Sequence, residues 1–496
     1  MFEKQIVVAA IAAAIATPGA AFAQTAGELD QIRAQLRGLK EDYEARIRAL
    51  EDKLMAAETS ATQAAADAAK AKSEATTAAT AAAGAASTAA EATTTAQRAE
   101  SAAQNAGQQK SQNAFNPAIS LILNGTWGRY GNDPTNQISG FASSGLGEAT
   151  PRGASLGESE LYLTANIDPN FRGSLLAAFT PENTVEIEEA FIETLALGRG
   201  ITAKGGRFFS GIGYGNSRHP HAWDFVDASL VQRAFLGRNY GDDGLQLRWV
   251  APLPVFVELG GEIGRGREFA GSPTEFERNR NGKEAHALYA KVGGDVGVEQ
   301  SYQVGVSHLR MRTPAGTGVP VLDFDDTTGL VNVFDGRQRV TGADFVWKWA
   351  PDGNPAYRNF KFVAEWFQRR LDGDMTFDTT NAGAGTLTDA ARIRQSGWYA
   401  QAAYQFMPYW RVGARYDRLS RGTANLNANA ANLALPAFDP TRTSLMVDYS
   451  PSEFSRMRVQ YNRDRLLQDA AGATIDDNVL FFQYIMSLGA HGAHRF

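Results

Sequence analysis

The stretch Glu160-Leu161-Tyr162-Leu163-Thr164-Ala165-Asn166-Ile167, closed by the turn pair Asp168-Pro169, alternates strictly between two kinds of side chain. In an extended chain successive side chains face opposite ways, so Leu161, Leu163, Ala165 and Ile167 share one face while Glu160, Tyr162, Thr164 and Asn166 share the other. The pattern returns downstream: Phe360, Phe362, Ala364 and Trp366 oppose Lys361, Glu365 and Arg369, and Met457, Val459 and Tyr461 oppose Arg456, Arg458, Gln460 and Asn462. Charge on the polar side of strand after strand cannot face a dry core, because unpaired buried charge is too costly. Working outward from Glu160, sixteen such segments begin near 117, 157, 170, 185, 201, 243, 254, 283, 300, 338, 357, 392, 409, 441, 453 and 478.

The connections decide between a soluble sandwich and a membrane wall. Tight turns at Asp168-Pro169, Pro252-Leu253-Pro254, Met407-Pro408 and Pro451-Ser452 alternate with mostly long, polar loops around 129–154, 212–242, 267–282, 312–337, 372–391 and 420–440. Short turns on one side and long loops on the other mark a transmembrane β-barrel of sixteen antiparallel strands, its short turns in the periplasm. An even strand number returns both chain ends to that side. The chain ends in the aromatic Phe496, and the last membrane strand is expected to stop near Gly489.

Composition agrees. The 496 residues have a mean hydropathy of −0.30, and beyond the first 23 no run approaches the ~20 apolar residues of a spanning helix. The absence of cysteine excludes disulfides, thiolate metal sites and a cysteine-linked N-terminal lipid. With 48 basic against 54 acidic residues there is no basic footprint for nucleic acid.

Residues 1–23 read as a secretory signal: Lys4, the apolar run Ile6 to Ile15, Pro18, and Ala21-Phe22-Ala23 before Gln24. An apolar seam then runs through Leu29, Ile32, Leu36, Leu39, Tyr43, Ile47, Leu50 and Leu54 in steps of three and four, with one stutter at 39-43-47, and from Ala57 to Ala106 the seam is alanine alone. Residues 24–110 are therefore expected to form an α-helical coiled coil in the periplasm, and 111–496 the barrel. Alanine knobs bury little area each, so such a coil needs many heptads. This stretch resembles the alanine zipper of bacterial outer-membrane lipoproteins, which implies trimerisation of the chain or tethering to peptidoglycan.

Sixteen strands leave a water-filled lumen rather than a packed interior. The longest connection, GIGYGNSRHPHAWDFVDASLVQRAFLGRNYGDD, lies third among the loops on its side and is read as the constriction, with Arg218, His219, His221, Asp224, Asp227, Arg233 and Arg238 as its polar side chains. Wall acids cluster early, at Glu158, Glu160, Glu189, Glu193, Glu258 and Glu262; bases cluster late, at Lys348, Lys361, Arg369, Arg411, Arg415, Arg456 and Arg458. Closing the barrel sets the two arcs opposite each other, and a field across the constriction would orient polar solutes.

The segments 159–179, 185–194, 201–216 and 243–249, in that order, resemble the phosphate/polyphosphate-selective porin family, most closely in Glu189-Ala190-Phe191-Ile192-Glu193 and in Gly206-Arg207-Phe208 leading into the constriction loop. The resemblance covers roughly 155–250. It implies a homotrimer of sixteen-stranded channels, places Arg207 with the pore wall, and makes outer-membrane lipids and lipopolysaccharide the surrounding partners. Phosphate selectivity would need a ring of lysines at the constriction. The third loop has none, and it carries Asp224, Asp227, Asp242 and Asp243.

Other chemistries fare less well. His219-Pro220-His221 could ligate zinc in a metal-linked uptake channel, but the spacing fixes no third ligand, so no metal is assigned. Ser210 in Phe209-Ser210-Gly211-Ile212 lacks a nucleophile elbow, and no Ser/His pair has meaningful spacing, so no enzyme is expected and no cofactor. The function expected is passive diffusion of small hydrophilic solutes across the outer membrane. The alternative is a structural link between that membrane and peptidoglycan.

Overall fold

The computed structural model describes Gly38 and residues 117–489, apart from 142–149, 182–183, 276–282, 314–317, 321–329, 382–384, 434–436 and 470. The signal segment, the coiled-coil seam, His491, His494 and Phe496 lie outside the described residues.

Sixteen wall strands are present: β1 (Ala118–Tyr130), β2 (Gly153–Leu156 continued by Ser159–Asn166), β3 (Phe171–Phe179), β4 (Val185–Thr194), β5 (Ile201–Phe209), β6 (Gly241–Val250), β7 (Phe256–Gly264), β8 (Ala285–Val296), β9 (Gln300–Arg312), β10 (Val333–Trp349), β11 (Asn359–Phe377), β12 (Leu387–Met407), β13 (Trp410–Asn425), β14 (Thr441–Ser452), β15 (Ser455–Gln468) and β16 (Thr474–Gly489). Each pairs antiparallel with its neighbours in sequence, and β1 also pairs with β16, from Ser120 opposite Gly489 to Tyr130 opposite Val479, which closes the cylinder. Closure leaves no wall strand with a free edge.

The alternation read from the sequence is the inside–outside pattern of this wall. On β15 Met457, Val459 and Tyr461 are exposed outward, while Arg458, Gln460 and Asn462 are buried inward. Leu245, Leu247 and Trp249 on β6, Val304 and Val306 on β9, and Leu445 and Val447 on β14 continue the apolar outer face. In lipid that face is the stable side, so Val306→Arg near mid-strand is expected to destabilise the barrel by about 2–4 kcal/mol. Urea unfolding of protein refolded into liposomes measures this, and no shift of the midpoint would refute an outward, lipid-facing Val306.

Two expectations need correcting. Strands β10 to β13 begin earlier or end later than expected, running 17, 19, 21 and 16 residues, so the flanks of the presumed loops at 312–337, 372–391 and 420–440 are strand. About 9–11 residues suffice to cross a bilayer. The excess is a polar hairpin extension held by continued pairing, such as Thr376 opposite Thr388, and its mixed composition hides the alternation. Strands β3 to β7 keep to 9 or 10 residues.

Nor is the lumen water-filled throughout. Inward residues Phe334, Phe367, Leu371, Met375, Ile393 and Leu419 join loop residues Ile138, Phe141, Leu230, Val231, Phe235 and Phe269 in one buried apolar cluster. The loops carry the apolar side chains that their polar composition obscured, and burying them inside the wall fills part of the bore.

Candidate functional site

The third loop, residues 210–240, is held inside the barrel by side chains from opposite walls. Its entry is shaped by glycine. Gly213 has φ +63°, and a Cβ there would sit 2.6 Å from Glu365 Oε1; a Cβ on Gly215 would collide with the Gln232 amide. With both side chains absent, the backbone N–H groups of Tyr214 (2.6 Å) and Gly215 (3.3 Å) donate to Glu365 Oε1, and the Tyr399 hydroxyl donates to Oε2 at 2.6 Å. On the other side of the entry, Ser210 Oγ (2.5 Å) and the Gly211 N–H (2.8 Å) donate to Glu262 of β7.

The loop exit is a single short helix, α1 (Leu230–Leu236), every residue of which is buried. Ser229 caps it by accepting from the Gln232 N–H, and Gly237 ends it in the left-handed conformation at φ 65°. Asp417, whose neighbour Tyr416 faces outward, accepts the Leu230 N–H at 2.9 Å, so α1 lies in the lumen against β13. Arg369 donates to the Ala234 carbonyl at 3.1 Å and to Gln395 at 2.6 Å, with its guanidinium 5.2 Å from the Phe235 ring centroid.

Between these anchors the loop meets the late, basic arc with acids. Asp224 accepts from Lys361 Nζ at 2.7 Å, Gln401 at 3.0 Å and Arg411 at 3.3 Å. Asp227 takes Arg415 at 2.7 Å, Gln460 at 2.8 Å, Asn462 at 3.0 Å and also Arg442. The Trp223 carbonyl accepts from Arg456 at 3.2 Å and Arg458 at 3.1 Å. Burial pushes the Asp224 and Asp227 carboxyls up, but the facing cations outweigh it and hold both well below the usual carboxylate range.

The early, acidic arc is met with bases. His219 lies between Glu188 (Nδ1 to Oε2, 3.1 Å) and Glu189 (Nε2 to Oε2, 3.2 Å), His221 Nδ1 is 2.8 Å from Glu160, and Arg238 donates to Glu158 at 3.3 Å. Burial lowers the His219 pKa, yet the hydrogen bonds to Glu188 and Glu189 raise it well above its ordinary value, so without a competing cation the ring carries charge. The loop thus presents to each arc the opposite sign.

Of the other sites expected from the sequence, Arg218 stacks over the Tyr214 ring at 4.1 Å. Arg233 is buried and donates to the Asn136 carbonyl at 2.7 Å; burial, with Arg442 adding to it, brings its pKa down to about 10. Glu193 pairs with Arg172 of β3. Two expected wall positions do not line open water, one because it is covered and one because it faces outward. Arg369 is 1% exposed beneath α1 and presents no charge to water. Arg207 shares a face with Gly205 and Ile192, the latter 51% exposed outward, so it lies on the outer surface, where its Nε is 2.7 Å from Asp243.

Nor are the arcs of one sign each. Asp448 lies 2.6 Å from Arg411, Asp417 lies 2.8 Å from Arg415, and Asp464 accepts from Arg442, all on the basic side; Arg248 lies 3.8 Å from Glu258 on the acidic one. Sequence reading missed Asp448, Asp417, Asp464, Arg442 and Glu365 as members of the site. For Asp448, Asp417 and Glu365 the signal was available, since each alternates with an outward apolar or aromatic neighbour, whereas Arg442 lies between two threonines and Asp464 between two arginines.

No family model matches the chain. An uncharacterized protein of Aquifex aeolicus (strain VF5) is 31% identical to it over 404 residues, which is 78% of this chain and 81% of that one. Among solved structures, OmpF of Salmonella typhi in complex with daunomycin is 12% identical, with 76% of this chain and 99% of that chain covered at a TM-score of 0.47. The outer membrane channel DcaP of Acinetobacter baumannii is 12% identical over 75% and 97% at 0.46, and the anion-selective porin from Comamonas acidovorans is 10% identical over 75% and 99% at 0.42.

Proposed function

The chain belongs to the family of the Aquifex aeolicus relative, and we propose that it is an outer-membrane porin through which small hydrophilic solutes and ions diffuse passively. One observation carries this reading: a closed barrel, apolar outside, holds a charged loop in its lumen by ion pairs to opposite walls. A barrel serving only as an anchor has no need of a loop so fixed, whereas a channel needs one to set its size limit. The filled bore argues for a narrow pore, and the paired arcs for selectivity governed by the few cations left over. Phosphate selectivity finds little support in a loop without lysine. The N-terminal segment is read as an export signal followed by a coil that trimerises the barrel or ties it to peptidoglycan.

Planar-bilayer recording of the refolded protein under a salt gradient tests the proposal. Discrete conductance steps, small for a sixteen-stranded barrel, are the expected result. Folded barrels that insert and pass no ions would overturn it.

A further inference from the structure

Where the loop meets the acidic wall, the arrangement exceeds what docking requires. Pairing β3 with β4 skips a residue: Leu176 faces Glu189 and Ala177 faces Ile187, leaving Glu188 as the extra residue of a bulge. Strict alternation would turn Glu188 and Glu189 to opposite faces; the bulge brings both to His219. One donor atom from each of Glu160, Glu188 and His219 then lies within 4.8 Å of the others. The His219 Nδ1 to Glu160 Oε2 distance, 3.9 Å, is too long for a hydrogen bond. It is close to the separation of about 3.3 Å between two donors that share a tetrahedral ion at ~2.0–2.1 Å.

The surroundings are those of a ligand shell. The far nitrogen of His219 faces Glu189, which fixes the ring and raises the basicity of Nδ1, as carboxylate–histidine pairs behind metal ions do. His221 holds the other oxygen of Glu160, a wholly buried carboxylate. Glu158 Oε1 is buried beside this group with no hydrogen-bond partner among the described residues. Glu158, Glu160, Glu188 and Glu189 outnumber the nearby cations Arg238, His219 and Lys204, so a divalent cation would improve the charge balance.

We propose that His219 Nδ1, Glu160 and Glu188 bind a divalent cation of the zinc class, with solvent completing the shell, and that the ion staples the third loop to β2 and β4. Imidazole and carboxylate together suit zinc better than calcium or magnesium. The ion takes the place of the Nδ1 proton. The inference goes beyond the channel reading, since binding is measurable whether or not the barrel conducts.

The test is Zn2+ titration, by calorimetry, of the refolded full-length protein in detergent after chelation. One ion per chain is expected, with affinity falling at least tenfold in His219→Ala and in Glu188→Gln, and about 10–100-fold in Glu189→Gln. His494→Ala, in the C-terminal tail, should bind as the wild type does. Absence of binding by the wild type leaves an ion-paired latch only and overturns the proposal; so does equal binding by His219→Ala and Glu188→Gln, which places zinc on other histidines. Should those variants fail to fold, Co2+ bound to the wild type decides. Intense visible bands of a four- or five-coordinate ion support the site, and the weak spectrum of the hydrated ion refutes it.

Discussion

Replacing Asp224 and Asp227 together by asparagine is expected to enlarge the single-channel conductance and to move the reversal potential toward anions. The wall facing this segment supplies Lys361, Arg411, Arg415, Arg442, Arg456 and Arg458 against the aspartates 417, 448 and 464. Six cations against three anions leave an excess of three, which the loop's two aspartates reduce to one. Removing both loop charges restores the excess of three while loosening the segment that covers it. Each charge-assisted bond is worth about 1.5–3 kcal/mol. Arg411, Arg415, Arg442 and Arg458 keep their wall partners, so the barrel survives while the loop lifts. Bilayer recordings in a salt gradient read both effects, and a double variant with wild-type conductance and reversal potential would show that the remaining anchors hold the loop without these charges. The pH dependence has a definite sign. Both carboxyls sit below their ordinary range, so the latch is complete above about 4 and is lost only as pH falls through the depressed folded values.

This latch explains how far the sequence could be read. Strand identity was legible because lipid on one side and polar groups on the other enforce a period of two, and Met457, Val459 and Tyr461 against Arg458, Gln460 and Asn462 show it without help from distant residues. The asymmetry of the arcs was legible as well. What it serves was not, because the partner of each arc lies far off in the chain: Asp227 meets Asn462, and His219 meets Glu188, only after the cylinder closes. Period two also misleads where the backbone departs from it. The bulge at Glu188 hides one of two glutamates that face His219. For Arg207, outward placement needs the register with Ala190 and Asp243, which no local pattern supplies. The filling of the bore was hidden because Phe141, Phe235 and Phe269 sit singly in polar loops, and only the fold gathers them.

Glu365→Ala is expected to release the loop entry, and Glu365→Gln to leave it nearly in place. The alanine variant leaves the N–H groups of Tyr214 and Gly215 and the Tyr399 hydroxyl without their acceptor in a site where Glu365 is 2% exposed. Buried donors stranded in this way cost about 1–3 kcal/mol each, so a loss of about 3–5 kcal/mol is reasonable once some solvent enters. Glutamine retains one oxygen for the two backbone donors and turns its amide toward Tyr399, whose hydroxyl can accept. Limited proteolysis of folded barrels should cut within residues 210–222 much faster in Glu365→Ala than in the wild type or in Glu365→Gln, with matching current noise in bilayers. Equal cutting of all three would mean that Glu262 and α1 suffice to hold the loop. If Glu365→Gln behaved like Glu365→Ala, the charge rather than the acceptor geometry would be what the loop depends on.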